Sequence, residues 1–237
     1  MRSIRAVFSI ASLLLLAACA SPVPKIDSTP AALARVKTIA VIRAPEPKTY
    51  TVVNFGHPGM AFGLVGGLIA AGDQKSKQDE LSAAMKQGNP ALTSAALPEA
   101  LVSQLNQMGF QARVEDAPWA EVDGKYTLPF DKINSDADAV VVVSPTIVGF
   151  IATGLTSDYY PTMTAVVTLL GKDRKEPLYR GYHATGWQPK ADGWRFSPAK
   201  TTFGNYAALM ADPKKSADAL SEAARNVAAS VARDLRI

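Results

Sequence analysis

His57 and His183 are the only imidazoles in the chain and Cys19 its only thiol, so soft-ligand or nucleophilic chemistry rests on very few side chains. A zinc site would need both histidines joined by a carboxylate. Neither has an i, i+4 partner or an H-E-x-x-H setting, so each reads as a solvated or hydrogen-bonded structural histidine. No G-x-S-x-G elbow occurs and no cysteine–base pair, which leaves acyl transfer without a visible nucleophile. Asp131, Asp136 and Asp138 are clustered enough to suggest calcium, but the EF-hand loop with its closing glutamate is missing, and capping and turns explain them better. Neither metal nor cofactor is expected, and the chain is not expected to be an enzyme.

Two further groups of residues could bind rather than react. Tyr159, Tyr160, Trp187 and Trp194 could form a platform on which glycan rings stack, although cross-strand packing of a sheet is the more ordinary use of such aromatics. The stretch GMAFGLVGGLIAAG, from Gly59 to Gly72, is rich in glycine and free of charge. Its glycines at 59, 63, 66, 67 and 72 do not fit G-x-G-x-x-G, and no Gly-Lys-Ser/Thr ending follows, so it is not a phosphate loop. As a helix it would be about 21 Å long, short of the roughly 30 Å of a bilayer core. What remains is a helix with a flat face: Gly59, Gly63 and Gly67 lie one turn apart, beside Gly66, with Phe62, Leu64 and Leu68 supplying apolar contact. Each helical glycine costs up to about 1 kcal/mol, which tight packing must offset. That packing is expected inside the domain, with an oligomer interface or the lipid headgroup layer as the alternative.

The elements that would position these residues follow from periodicity. RVKTIAVI, residues 35–42, reads as a first strand ended by Pro45 and Pro47, and TYTVVNF, 49–55, as a second extended piece. A helix-favouring run after Asp73 breaks at Gly88, Asn89 and Pro90. Pro98 suits the first turn of another helix, with Leu97, Leu101, Leu105 and Met108 in its stripe and Gly109 as its C-terminal cap. FQARVE follows as a short strand. ADAVVVVS, 137–144, is a central strand covered on both faces and bounded by Pro145. Residues 163–170 and 178–184 form an antiparallel hairpin, Asp192-Gly193 marks a turn, and Leu220, Ala224, Val227, Val231 and Leu235 stripe a closing helix. The fold class is mixed α/β: a short sheet with an antiparallel hairpin, helices packed against it, and a glycine-rich helical insertion.

The amino-terminal residues MRSIRAVFSIASLLLLAA have the charged, apolar and small-residue parts of a secretory signal, with too short an apolar run to span a bilayer. Leu16-Ala17-Ala18-Cys19 resembles the lipobox of bacterial lipoproteins. That resemblance implies diacylglyceryl transfer to Cys19, cleavage before it, acylation of the new amino terminus and palmitate-type chains as membrane anchor; a thiol discarded with the signal is the alternative. Without an aspartate at position 20, it also implies the periplasmic face of the outer membrane. Residues 1–18 are then signal, 19–34 lipidated cysteine and flexible tether, and 35–237 one domain. Loss of Arg2 and Arg5 lowers the formal charge of +4 by two, and no dense basic block remains, which argues against nucleic acid as partner.

KTIAVI, then LPEALVSQLNQMGFQARVE, then ADAVVVVSPTIVGF, a hairpin and a terminal helix resemble the α/β domain of periplasmic lipoproteins related to the TolB amino-terminal domain and the CsgG curli-secretion lipoprotein. The segment of about 45–97 is long for that domain. The resemblance implies a noncatalytic factor of envelope assembly or transport that works through protein contacts or self-association. A small-ligand or peptidoglycan-binding module is the alternative.

Overall fold

The computed structural model describes residues 24–56, 63–89, 91–122, 125–154 and 156–236. Cys19, His57, Gly59 and Phe62 lie outside the described residues, and Gly63, Leu64, Gly66, Gly67 and Leu68 are described only as helical backbone.

The elements in chain order are α1 (Pro30–Leu33), β1 (Thr38–Ile42), β2 (Thr51–Asn54), α2 (Gly63–Gly88), α3 (Leu92–Gln107), β3 (Gln111–Glu115), β4 (Ala120–Val122) and β5 (Lys125–Thr127). After a 3-10 turn at Phe130–Lys132 come β6 (Ala139–Ala152), β7 (Tyr160–Gly171), β8 (Pro177–Thr185), β9 (Trp194–Ser197), α4 (Tyr206–Ala211) and α5 (Pro213–Asp234). Seven strands form one mixed sheet in the order β3-β1-β6-β7-β8-β9, with β2 also paired to β6, while β4 and β5 form a small sheet of their own. The expected mixed α/β class is therefore the observed one. β3, β1 and β6 run parallel, and β6, β7 and β8 run antiparallel.

The valine run of β6 explains why the sheet is buried on both sides. Successive side chains point to opposite faces. Val141 and Val143 join the main core with Leu101 and Leu105 of α3 and Leu220, Val227 and Val231 of α5. Val140 and Val142 join a smaller core with Ile42, Ile133 and Leu170, against which Trp119 and Phe130 pack. α5 has the expected stripe; it starts at Pro213 behind an Asp212 side chain that accepts from the Lys215 amide at 2.9 Å.

Four expectations change. α3 starts at Leu92, so Pro98 is inside the helix rather than in its first turn. The early start is possible because a carboxylate from far along the chain caps it: Glu46 accepts from the amides of Thr93 at 2.9 Å and Ser94 at 2.7 Å. β6 does not stop at Pro145 but runs to Ala152, with a register shift between Pro145 and Ile147, the kind of irregularity at which a strand accommodates proline. The tether expected over 19–34 is docked from Pro24 onward: Ile26 bridges Arg180, Ser28 Oγ donates to the Asp234 carbonyl at 2.7 Å, and Leu33 is buried. At Gly72, the end of the glycine-rich stretch, an added Cβ would meet nothing within 4 Å. Tight packing does not explain that glycine.

The segment 45–97 is part of the sheet and core rather than an appendage. Leu81 and Met85 of α2 are buried in the main core, and β2 pairs with β6. Among the described residues no helix is long and apolar enough to cross a membrane.

Candidate functional site

The sheet has a gap. β1 pairs with β6 as far as Ile42↔Val142, and β2 rejoins the same edge at Thr51↔Gly149. Between these points residues 143–148 of β6 have no strand neighbour on that side, so the main-chain groups there that do not bond to β7 have no ladder partner. Gly149 makes the rejoining possible: a Cβ there would collide with the carbonyl oxygen of Thr51 and lie 2.5 Å from its nitrogen.

The chain between the two strands is held away from β6 by its own bonds. Beyond the two helix amides, Glu46 accepts from Thr93 Oγ1 at 2.9 Å and from the buried Tyr50 hydroxyl at 2.7 Å. Lys86 of α2 donates to the carbonyls of Pro47 at 2.6 Å and Lys48 at 2.5 Å. The resulting wall, Pro45 and Pro47, faces Ser144, Pro145 and Thr146 of β6 across a cleft of about 500 Å³. The β4–β5 hairpin supplies the third side through Lys125 and Tyr126, next to Trp119. Trp119 is oriented by donating Nε1–H to the Arg43 carbonyl at 2.8 Å.

Among the described residues no carboxylate lines this cleft, but two ammonium groups do. Lys48 pairs with Glu121 at 2.7 Å, and that hydrogen bond holds its pKa above the ordinary lysine value. Lys125 has no ion-pair partner among the described residues. An aromatic wall, hydroxyls, an unpaired strand edge and a cation without a partner among the described residues can hold an anionic ligand with an apolar body.

A second polar cluster is sealed. His183 is 0 % exposed, with Nε2 at 2.7 Å from Tyr179 Oη and Nδ1 at 2.9 Å from Ser230 Oγ. Tyr179 Oη donates to Asp234 Oδ2 at 3.1 Å, which also accepts from Arg195 Nε at 3.2 Å. With the phenolic O–H directed at Asp234, His183 Nε2–H donates to the phenol oxygen and Nδ1 accepts from the Ser230 hydroxyl. Burial pushes the imidazole down to about 4, opposed by the Asp234 charge. Burial, followed by the Asp234 charge, pushes Tyr179 far above its usual range. Serine, histidine and carboxylate are thus present in one chain of bonds, but Ser230 is 4 % exposed, on the side of α5 that meets His183 of β8. Its hydroxyl and the imidazole satisfy each other inside the core. This is the structural histidine that the sequence reading expects.

The four aromatics do not make one platform. Tyr159 is 5 % exposed and bridges Phe203, so a glycan cannot stack on it. Trp187 lies 6.0 Å from Phe55, whereas Trp194 lies 5.3 Å from Tyr182, its register partner on β8. Tyr182 lies inside β8, whereas Trp187 comes after the end of that strand at Thr185, beyond Gly186, whose positive φ turns the chain. Tyr160 begins β7, opposite Ile151.

The three aspartates are used separately. Asp131 pairs with Lys132 at 3.3 Å and Asp136 with Arg113. Asp138 accepts from the amides of Thr38 at 2.9 Å and Lys37 at 3.0 Å, which lower its pKa and pin β1 to the start of β6. Among the described residues no group of three or more His, Cys, Asp or Glu is placed to hold a metal ion.

Trp119, Lys125 and Tyr126 escaped the sequence reading. A signal was present: WAEVDGKYT places Asp123-Gly124 between two short alternating runs, the commonest two-residue hairpin sequence. Nothing local, however, marks that hairpin as the side of a cleft. Compared with models of known protein families and with curated proteins, the chain matches none.

Proposed function

We propose that this chain is a noncatalytic lipoprotein, anchored through acyl chains on Cys19 to the periplasmic face of the bacterial outer membrane. It acts in envelope assembly or transport through contacts with other envelope components. Its binding site is the cleft beside residues 143–148, and its ligand carries an acidic group and an apolar ring or chain. The observation that carries this reading is the break in the sheet, where Lys125 lacks a counterion among the described residues and Trp119 and Tyr126 face unpaired strand edge. The sealed Ser230–His183 pair favours binding over reaction, because the one serine–histidine contact among the described residues is part of the core.

Purified peptidoglycan fragments, whose stem peptides supply carboxylates, are the first probe. Titration against the intact protein should show saturable binding that weakens at least about tenfold on Trp119→Ala or Lys125→Ala and is unchanged on Trp187→Ala. Binding that depends on Trp187 and not on Trp119 would move the site elsewhere. Absence of acyl chains on Cys19 by mass spectrometry would remove the anchor.

A further inference from the structure

The described chain enters the fold at an unusual place for a tether: the edge of the sheet. Ile26 exchanges two main-chain bonds with Arg180 of β8, at 2.9 Å and 2.7 Å, and the Pro24 carbonyl accepts from Arg180 Nη1 at 3.3 Å. β7 occupies one side of β8, so Ile26 and β9 share the other, end to end. Arg180 and Tyr182, the partners of Ile26 and Trp194, are two residues apart, or about 7 Å.

The shared edge carries the residue types of a membrane interface. Trp194 and Phe196 pair with Tyr182 and Ala184, so they project from one face of the sheet, and Phe196 is 39 % exposed. Arg195 projects from the opposite face, where it reaches Asp234 of α5. Around this end stand the cations Lys25, Arg180, Arg195 and Arg233 and the carboxylates Asp27 and Asp234, while Lys190 and Asp192 precede β9, a basic surplus of two. Arg180 and Arg233 have no carboxylate partner among the described residues. Aromatic side chains favour the headgroup layer, and a basic surplus favours anionic lipid.

Chain length completes the argument. Pro24 is five residues beyond Cys19, a span of at most about 17 Å at full extension. A lipid on Cys19 therefore keeps this edge, and no distant part of the sheet, next to the bilayer. We propose that β9 and Pro24–Ile26 form the face on which the protein rests on the membrane. Trp194 and Phe196 enter the headgroup layer, and Arg180 and Arg233 meet anionic lipid phosphates. The assignment rests on the anchor at Cys19. It also separates the cleft from the resting edge: β1 is four strand spacings from β9, about 19 Å across the sheet.

The test uses the full acylated chain in vesicles of phosphatidylethanolamine and phosphatidylglycerol, with and without bromine on the acyl chains. Two single-tryptophan variants are compared, one keeping Trp194 (W119F, W187F) and one keeping Trp119 (W187F, W194F). Bromine should quench Trp194 emission about twofold and leave Trp119 unchanged. A second readout does not depend on tryptophan replacement: the thiol of Phe196→Cys should react about fivefold more slowly with an aqueous maleimide after reconstitution than in detergent-free extract of the same chain. Acylated protein in which Trp194 is quenched no more than Trp119, or in which the new thiol is unprotected, would overturn this face and leave the anchor standing. Protein with an unmodified Cys19 and a quenched Trp194 would overturn the anchor and support the face.

Discussion

Gly181→Ala is the most informative single change, because one methyl group meets two buried polar side chains. Tyr179, Gly181 and His183 alternate on the face of β8 that packs on α5. A Cβ at Gly181 would overlap Tyr179 Oη and stand 2.9 Å from His183 Nε2. The phenol is almost wholly buried and bonded to both His183 and Asp234, so it cannot move without breaking a bond. Overpacking costs about 1–3 kcal/mol, and each buried group left unsatisfied about 1–3 kcal/mol more. Removing a strand glycine returns only about 0.5–1 kcal/mol. The expected net loss is about 3 kcal/mol. Urea unfolding followed by circular dichroism measures it, with Gly72→Ala as control. That helical glycine has open space around it and its replacement should stabilise by about 0.5–1 kcal/mol. A Gly181→Ala midpoint equal to that of the parent, with an unchanged slope, would refute the reasoning, since it would mean that the bonds among Tyr179, His183 and Asp234 are not formed as described.

Two further outcomes follow from the same structure. His183 titrates at about 4 in the fold and near 6.5 when unfolded, so the unfolded chain binds more protons between those values; stability is complete above about pH 6.5 and falls as pH drops toward 4. The loss approaches about 3 kcal/mol, and the slope over that window should be shallower by up to about 1.4 kcal/mol per pH unit in His183→Gln. Glu46→Ala removes the cap of α3 and strands the buried Tyr50 hydroxyl, which together should cost about 3 kcal/mol, whereas Glu46→Gln keeps the acceptor oxygen and should cost less than half as much. Because Glu46 stands between the two prolines of the cleft wall, the alanine change should also weaken ligand binding in the titration described above.

Much of the fold is legible along the chain, because its cues are local. Alternation places Ile39, Val41 and the β6 valines in strands, the charged GKDRKEP connection forces β7 and β8 to turn back on each other, and the Leu220-to-Leu235 stripe makes α5 amphipathic. The start of α3 was not legible at Pro98, because the group that caps it, Glu46, is more than forty positions away from Thr93 and Ser94. The persistence of β6 past Pro145 has the same character: a bulge and an open edge tolerate the proline, and both depend on where β1 and β2 attach.

The candidate sites divide in the same way. By itself the sequence determined the mixed α/β class, since its strand and helix patterns are written in consecutive residues. Only the tertiary structure decided that Trp187 and Trp194 belong to different neighbourhoods, that His183 closes a buried network with Ser230, and that Trp119, Lys125 and Tyr126 share one cleft. The cleft exists because two short strands attach to one long strand and leave six residues between them. A gap of that kind is a difference between two long-range pairings, and no window of sequence contains both.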